Sequence, residues 1–226
     1  MVRARRLPAQ HRKRQIIDSA RELFASQSYR KVGTADVAKA AGVSEPALYR
    51  YFSSKKELFL ATLRPTGPKL LEIWQSIASE IDDPLETLSS IGVRYYDHLQ
   101  SHSGNMQLLF QALSEADEPE IRQALRENYL GFVRFVAETL EEGKRRGIVR
   151  RGLDTELVAW QFLGMGLTLD LMHSLGFTSQ LDRSKMEQWL ALFQQTVQAP
   201  AKQQGTGPGV RAVSELVATQ GWPLEA

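Results

Sequence analysis

The segment from Thr34 to Phe59, TADVAKAAGVSEPALYRYFSSKKELF, constrains this chain more than any other part of it. A short helix-patterned stretch closes with Ala40-Ala41-Gly42-Val43, and a second opens at once with Ser44-Glu45-Pro46. Glycine reaches the left-handed backbone position that ends a helix without steric cost. Ser44 can cap the next helix, and proline is tolerated in a first turn because its missing N–H has no partner there. The spacing predicts helix, sharp turn, helix, which leaves the second helix able to enter the major groove of duplex DNA. A capping pattern at Ser54-Lys55-Lys56-Glu57 then starts another helix.

The rest of the chain is also patterned for helices. Ile16, Ile17, Ala20, Leu23 and Phe24 recur at i, i+1, i+4, i+7 and i+8, placing one apolar stripe on a helix over about 9–27. Thr34 suits an N-cap, and Leu48 and Phe52 face inward one turn apart. Arg64-Pro65-Thr66-Gly67-Pro68 interrupts the pattern. Further helices are expected over about 69–81, 85–102, 105–116, 119–146, 155–175 and 182–198. On the longest, Leu125, Tyr129, Phe132, Val136 and Leu140 share one side. No strand run is evident. The expected fold is all-α: an N-terminal helix-turn-helix domain over 1–64, a larger helical domain over 65–198, and a linker with a C-terminal tail over 199–226. Ala199–Gly209 is linker-like, and Val210–Gln220 reads as one more short helix.

Charge divides along the same line. Residues 1–64 carry 14 Lys and Arg against 5 Asp and Glu, a net of +9, whereas residues 65–226 carry 14 against 21, a net of −7. A basic head on an acidic body points to a polyanion as the partner of the head. The absence of cysteine excludes disulfides and thiolate metal sites. The run Leu157 to Leu169 is too short to span a bilayer, and no apolar stretch follows the first charges, so a cytoplasmic protein with no membrane partner is expected. No nucleophile motif, phosphate loop or cofactor motif stands out, and no enzyme activity or cofactor is expected. GTGPG near residue 205 lacks the following lysine of a phosphate loop. His98 and His102, at i and i+4, read as surface histidines rather than metal ligands.

The phrase VGTADVAKAAGVSEPALYRYFSSKKELF resembles the N-terminal domain of the tetracycline-repressor (TetR) family of bacterial transcriptional regulators. The match lies in Thr34, Ala38, Ala41-Gly42-Val43-Ser44, Leu48-Tyr49, Tyr51-Phe52, Lys55 and Leu58. From the residues themselves, Thr34 at a helix N-terminus can clamp a phosphate, and Tyr49 and Tyr51, straddling the inward pair, can reach the DNA backbone together with Lys55. Base reading falls to Ser44, Glu45, Pro46, Ala47 and Arg50, with Glu45 suited to cytosine N4 and Arg50 to guanine or a phosphate. Family members commonly place another reading side chain just after the threonine. Here that position is Ala35. The arm of Arg3, Arg5, Arg6, Arg12, Lys13 and Arg14 can follow the backbone or enter the minor groove.

One such head reads few base pairs, so a homodimer on a palindromic operator of double-stranded DNA is expected. Trp160, Gly164, Leu167 and Leu171, with Trp189 and Phe193, are candidates for the dimer interface. The resemblance implies a four-helix bundle of the final two helices of each subunit. It also implies a cavity for a hydrophobic or amphipathic effector, for which Trp74, Tyr95, Phe110, Tyr129, Phe132 and His173 are candidate lining residues. Arg94, Asp170 and His173 stand out as polar residues in apolar surroundings. The function expected is a ligand-responsive regulator, most simply a repressor. The alternative is an architectural DNA-binding dimer without an effector, for which a solid body core would speak.

Overall fold

The structure, a computed structural model, describes residues 9–100 and 105–200. Arg3, Arg5, Arg6, His102 and the readings of the tail beyond residue 200 lie outside the described residues. Among the described residues ten α-helices follow one another: α1 (Ala9–Ser26), α2 (Thr34–Ala40), α3 (Glu45–Tyr49), α4 (Lys55–Leu63), α5 (Thr66–Glu80), α6 (Pro84–Gln100), α7 (Asn105–Ala112), α8 (Pro119–Arg145), α9 (Thr155–Ser174) and α10 (Arg183–Val197), with short 3-10 turns at Leu113–Glu115 and Phe177–Gln180. Among the described residues there is no strand, and an isolated antiparallel bridge joins Val149 to Gln198.

The head, α1 to α4, is set by its caps. Gly42 takes φ +63° and turns the chain from α2 into α3. The Ser44 hydroxyl accepts from the Ala47 N–H at 3.3 Å, and the Ser54 hydroxyl from the Glu57 N–H at 3.1 Å. Two caps differ from expectation. Gly33, not Thr34, is the N-cap of α2, and the Asp36 carboxylate reaches back to its N–H at 3.0 Å. The Glu57 carboxylate reaches Ser53, accepting from its N–H at 2.6 Å and its hydroxyl at 2.7 Å. Inside the head, Phe24, Tyr29 and Phe59 cluster with centroids 4.9–5.9 Å apart.

The body does not hang from a loose linker. The interruption expected over five residues is only Arg64 and Pro65, because Thr66, Gly67 and Pro68 already belong to α5. Thr66 and Gly67 are buried. Thr66 Oγ1 donates to the Thr62 carbonyl at 2.9 Å, and Asn128 Nδ2 of α8 donates to the Leu63 carbonyl at 3.1 Å. Both carbonyls sit in the last turn of α4, where helix geometry supplies no partner. α1 packs on α7 and α4 on α8. One apolar cluster runs from Ile16, Phe24 and Phe59 through Leu108 to Phe132 and Leu169.

A β-carbon at Gly67 would lie 2.3 Å from Asn128 Oδ1. Gly67→Ala should therefore cost about 1–3 kcal/mol in a urea melt, as overpacking does. Gly67→Ala combined with Asn128→Ala should lose less than the two single changes added together, since the second removes the atom struck by the first. Strict additivity would show that the two residues do not touch.

Candidate nucleic-acid interface and body cavity

The start of α3 projects from the head beside the start of α1. Ala9, Arg12, Gly42, Val43, Ser44, Ala47, Arg50 and Tyr51 line an open concavity of about 630 Å³, with Arg12 and Arg50 contributing its positive charge. Ser44, Pro46, Tyr49 and Arg50 are exposed, while Glu45 and Ala47 are half-buried. The positive charge of the concavity suits a phosphate track beside base edges.

Several expected contacts are already engaged within the protein. Thr34 Oγ1 donates to Glu45 Oε1 at 2.5 Å and lies 3.1 Å from Tyr49 Oη. A threonine hydroxyl has one proton, so with that proton on Glu45 the tyrosine is the donor to Thr34. The Glu45 carboxylate expected to meet cytosine thus binds the threonine expected to clamp a phosphate. Tyr51 is half-buried and packs on the head core rather than standing free. Lys55 Nζ lies 4.4 Å from the centroid of the Tyr29 ring, and burial lowers its pKa. Lys13 Nζ lies over the Phe52 ring at 5.4 Å. Sequence spacing indicated which side faces out. It could not show that neighbours on that side satisfy one another.

The body encloses a second site. α5, α6, α8, α9 and α10 surround a cavity of about 40 Å³, walled by Trp74, Tyr95, Tyr129 and Phe132 among other apolar side chains. Trp74 lies 5.0 Å from Phe132, and Tyr129 stands edge-on to Phe132 at 6.1 Å. Four of the six expected lining residues, Trp74, Tyr95, Tyr129 and Phe132, meet here. Phe110 does not, because α7 is drawn against α1 at the head. His173 does not either: one turn beyond Asp170 on α9, it borders a smaller space with Tyr96, Leu99 and Leu181. Asp170, the only charged side chain in the lining among the described residues, is 4% exposed and accepts a hydrogen bond from Tyr95 Oη. Burial and the neighbouring Asp170 charge push both Tyr95 and Tyr129 upward in pKa. Phe162, Met165, Met186 and Leu190 complete the wall; periodicity marked them as apolar but not as neighbours of a void.

Residues 16–62 match the family described as "Bacterial regulatory proteins, tetR family". That match spans α1 through α4, so the head is similar to this family's N-terminal domain. The transcriptional activator FasR of Mycolicibacterium smegmatis is 32% identical over 109 residues, which cover 48% of this chain and 50% of FasR. The chain thus spans about half the length of that curated relative. Two solved structures share the fold over most of the chain. A protein from Saccharomonospora viridis in complex with choline covers 84% of this chain and all of its own length, with TM-score 0.73 and 22% identity. FadR from Bacillus subtilis in complex with stearoyl-CoA covers 80% of this chain and 95% of its own, with TM-score 0.65 and 22% identity.

Within the body, α9 has apolar side chains on two sides. Val158, Ala159, Phe162, Leu163 and Leu169 are buried, yet Leu157 is 68% exposed, Trp160 44% and Leu171 47%. A β-carbon at Gly164 would meet nothing within 4 Å, so that face is open there. Leu167 is half-buried and borders the cavity. The α10 candidates are displaced. Phe193 is buried against Phe162 at 5.4 Å, and Trp189 packs partly on the core, because that side of α10 closes the chain's own body. The large apolar residue that α10 exposes is Leu192, at 60%.

Burial raises the Asp170 carboxyl from 3.8 to about 6, against the lowering effect of the Tyr95 hydrogen bond. An acid whose pKa is raised by folding stabilises the protein while it keeps its proton. That contribution is complete below 3.8 and is lost as pH rises through about 6. Asp170→Asn removes the titration. Its stability relative to the parent should improve by roughly 3 kcal/mol between pH 3.5 and pH 7, read from urea midpoints. A difference independent of pH would show that the carboxyl is not desolvated.

Proposed function

We propose that this protein is a dimeric transcriptional regulator, most simply a repressor, whose hold on a palindromic operator is weakened by a hydrophobic or amphipathic small molecule in the body. Residues 1–64 bind DNA, residues 65–198 take the effector and form the dimer. The observation that carries the reading is the adjacency of Asn128 and Tyr129 on α8. Asn128 holds the end of α4 through the Leu63 carbonyl, while Tyr129 walls the cavity. α5 repeats the link, with Gly67 against Asn128 at one end and Trp74 in the cavity wall at the other.

A cavity of about 40 Å³ holds a few waters at most, well below the roughly 300–1,000 Å³ of ligand sites. Any effector must therefore push Trp74, Tyr129 and Phe132 outward. The same helices end at the head, so the push alters head orientation and favours a state that fits the operator poorly. An architectural dimer would gain nothing from a buried carboxylate beside a void, since an apolar side chain there would be more stable. The occupants of the two solved relatives, choline and stearoyl-CoA, are unlike each other, so side chains rather than fold select the molecule.

In the head, the Thr34–Glu45–Tyr49 network has to open for those groups to meet DNA, whereas Arg50 is exposed and its side chain forms no ion pair or hydrogen bond among the described residues. Arg50→Ala should weaken operator binding about tenfold in a gel shift. If Arg50 meets a phosphate, the slope of log affinity against log salt should also fall by about 0.9. Unchanged affinity would count against α3 as the reading helix.

The exposed face of α9 is the proposed dimer seam, with Leu157, Trp160, Gly164 and Leu171 facing a second copy. Leu171→Glu should shift the protein to monomer in native mass spectrometry, with operator affinity falling more than a hundredfold. A dimer that survives this change would place the seam elsewhere.

A further inference from the structure

Among the described residues, the lining of the body cavity carries one charged side chain, Asp170. Among the described residues, the Asp170 carboxylate accepts one hydrogen bond, from Tyr95, and no lysine or arginine pairs with it. Taking an ionised carboxylate out of water costs several kcal/mol unless a cation or several donors replace its hydration. Its pKa near 6 still leaves most molecules charged at pH 7. Trp74, Tyr95, Tyr129 and Phe132 surround the same space. The faces of such rings carry negative charge density, which attracts cations and repels anions. Carboxylate and rings therefore act with one sign.

We propose that the molecule recognised here is an organic ammonium ion: a protonated amine with apolar substituents, its nitrogen held at the Asp170 carboxylate and packed against the Trp74, Tyr95 and Tyr129 rings. The word effector rests on the regulatory reading above; the binding chemistry does not. A carboxylate or phosphate placed at this depth would meet Asp170 with like charge. A neutral alcohol would gain one hydrogen bond and no charge pairing. A metal ion has too few ligands, since among the described residues no three His, Asp or Glu side chains converge.

Room comes from the wall shared with an outer groove. Tyr129 and Leu167 border both the cavity and an apolar surface groove of about 490 Å³ that also holds Trp160 and Leu130. Rotating Tyr129 outward joins the two spaces. Arg122 and Arg126 stand in the outer groove, beyond that partition, so their charge lies outside the aromatic chamber. Gly166 presents no side chain to the Tyr95 ring, leaving the carboxylate side of the chamber open for a substituent.

The test uses three probes on one scaffold, 4-phenylbutylamine, 4-phenylbutan-1-ol and 4-phenylbutanoate, titrated calorimetrically into the full chain at pH 7. The amine should bind at least tenfold tighter than the alcohol, with the carboxylate weakest. Asp170→Asn should weaken amine binding at least tenfold and change alcohol binding less than twofold. Trp74→Leu should weaken the amine more than the alcohol, which keeps the proposal testable if Asp170→Asn alters the fold. The proposal is overturned if none of the probes binds, if the alcohol or carboxylate equals the amine, or if Asp170→Asn keeps the preference. A gel shift with a duplex selected from a random library separates this from the regulatory reading. Amine binding that leaves DNA affinity unchanged supports the chemistry and removes the regulatory role. Release by the alcohol or carboxylate, with the amine inert, supports the role and overturns the ammonium.

Discussion

The contact on which the molecule turns is the amide of Asn128 against the end of α4. A helix of nine residues cannot satisfy its last carbonyls by itself. Here the Leu63 carbonyl is met by a side chain 65 residues further along the chain, and Gly67 leaves the space that lets it approach. A two-residue turn between buried helices has few ways to flex. The head is consequently an extension of α8 and α5, and whatever bends those helices bends the head. The ion pairs between head and body, Lys56 with Glu118 and Glu120 and Arg30 with Glu115, involve exposed basic side chains. Pairs of that kind add little stability and serve more to fix orientation.

These pairs also give the charge asymmetry a geometric meaning. Part of the acidic excess of the body is placed where the basic head rests on it. Arg12 and Arg50 instead line the open concavity beside the start of α3. The positive field of the head is thus partly neutralised where it meets the body and left intact where a polyanion would approach. Net charge summed over the chain, at +2, conceals this because the two contributions cancel.

What was legible in the sequence follows from which forces are local. Caps and turns act over three or four residues, so Gly42, Ser44 and Ser54 revealed the head, and the stripe from Leu125 to Leu140 revealed the buried side of α8. The failures involve partners distant in sequence. Spacing gives the side of a helix a residue occupies, but not the element that covers that side. Phe193 therefore looked like an interface residue until α9 covered it, and Phe110 looked like a cavity residue although α7 leans on the head. The Thr34–Glu45 bond spans a turn whose tightness periodicity does not encode. Asp170 did leave a trace: it is the lone acid after a charge-free apolar stretch, and burying it requires a reason.

α9 brings the two halves of the argument together. Asp170 points into the cavity and Leu171, the next residue, points out of the molecule; Gly164 and Met165 divide in the same way. Successive helical residues are separated by about 100°, so one rigid rod presents its cavity wall and its outer seam at once. A guest that displaces the inner face cannot leave the outer face unmoved, because close-packed helices shift as units rather than deform locally. If the proposed seam holds a second copy, the same displacement changes the angle between two bodies. Each head is fixed to its own body through Asn128, so a shift of that outer face is passed to the head along α8.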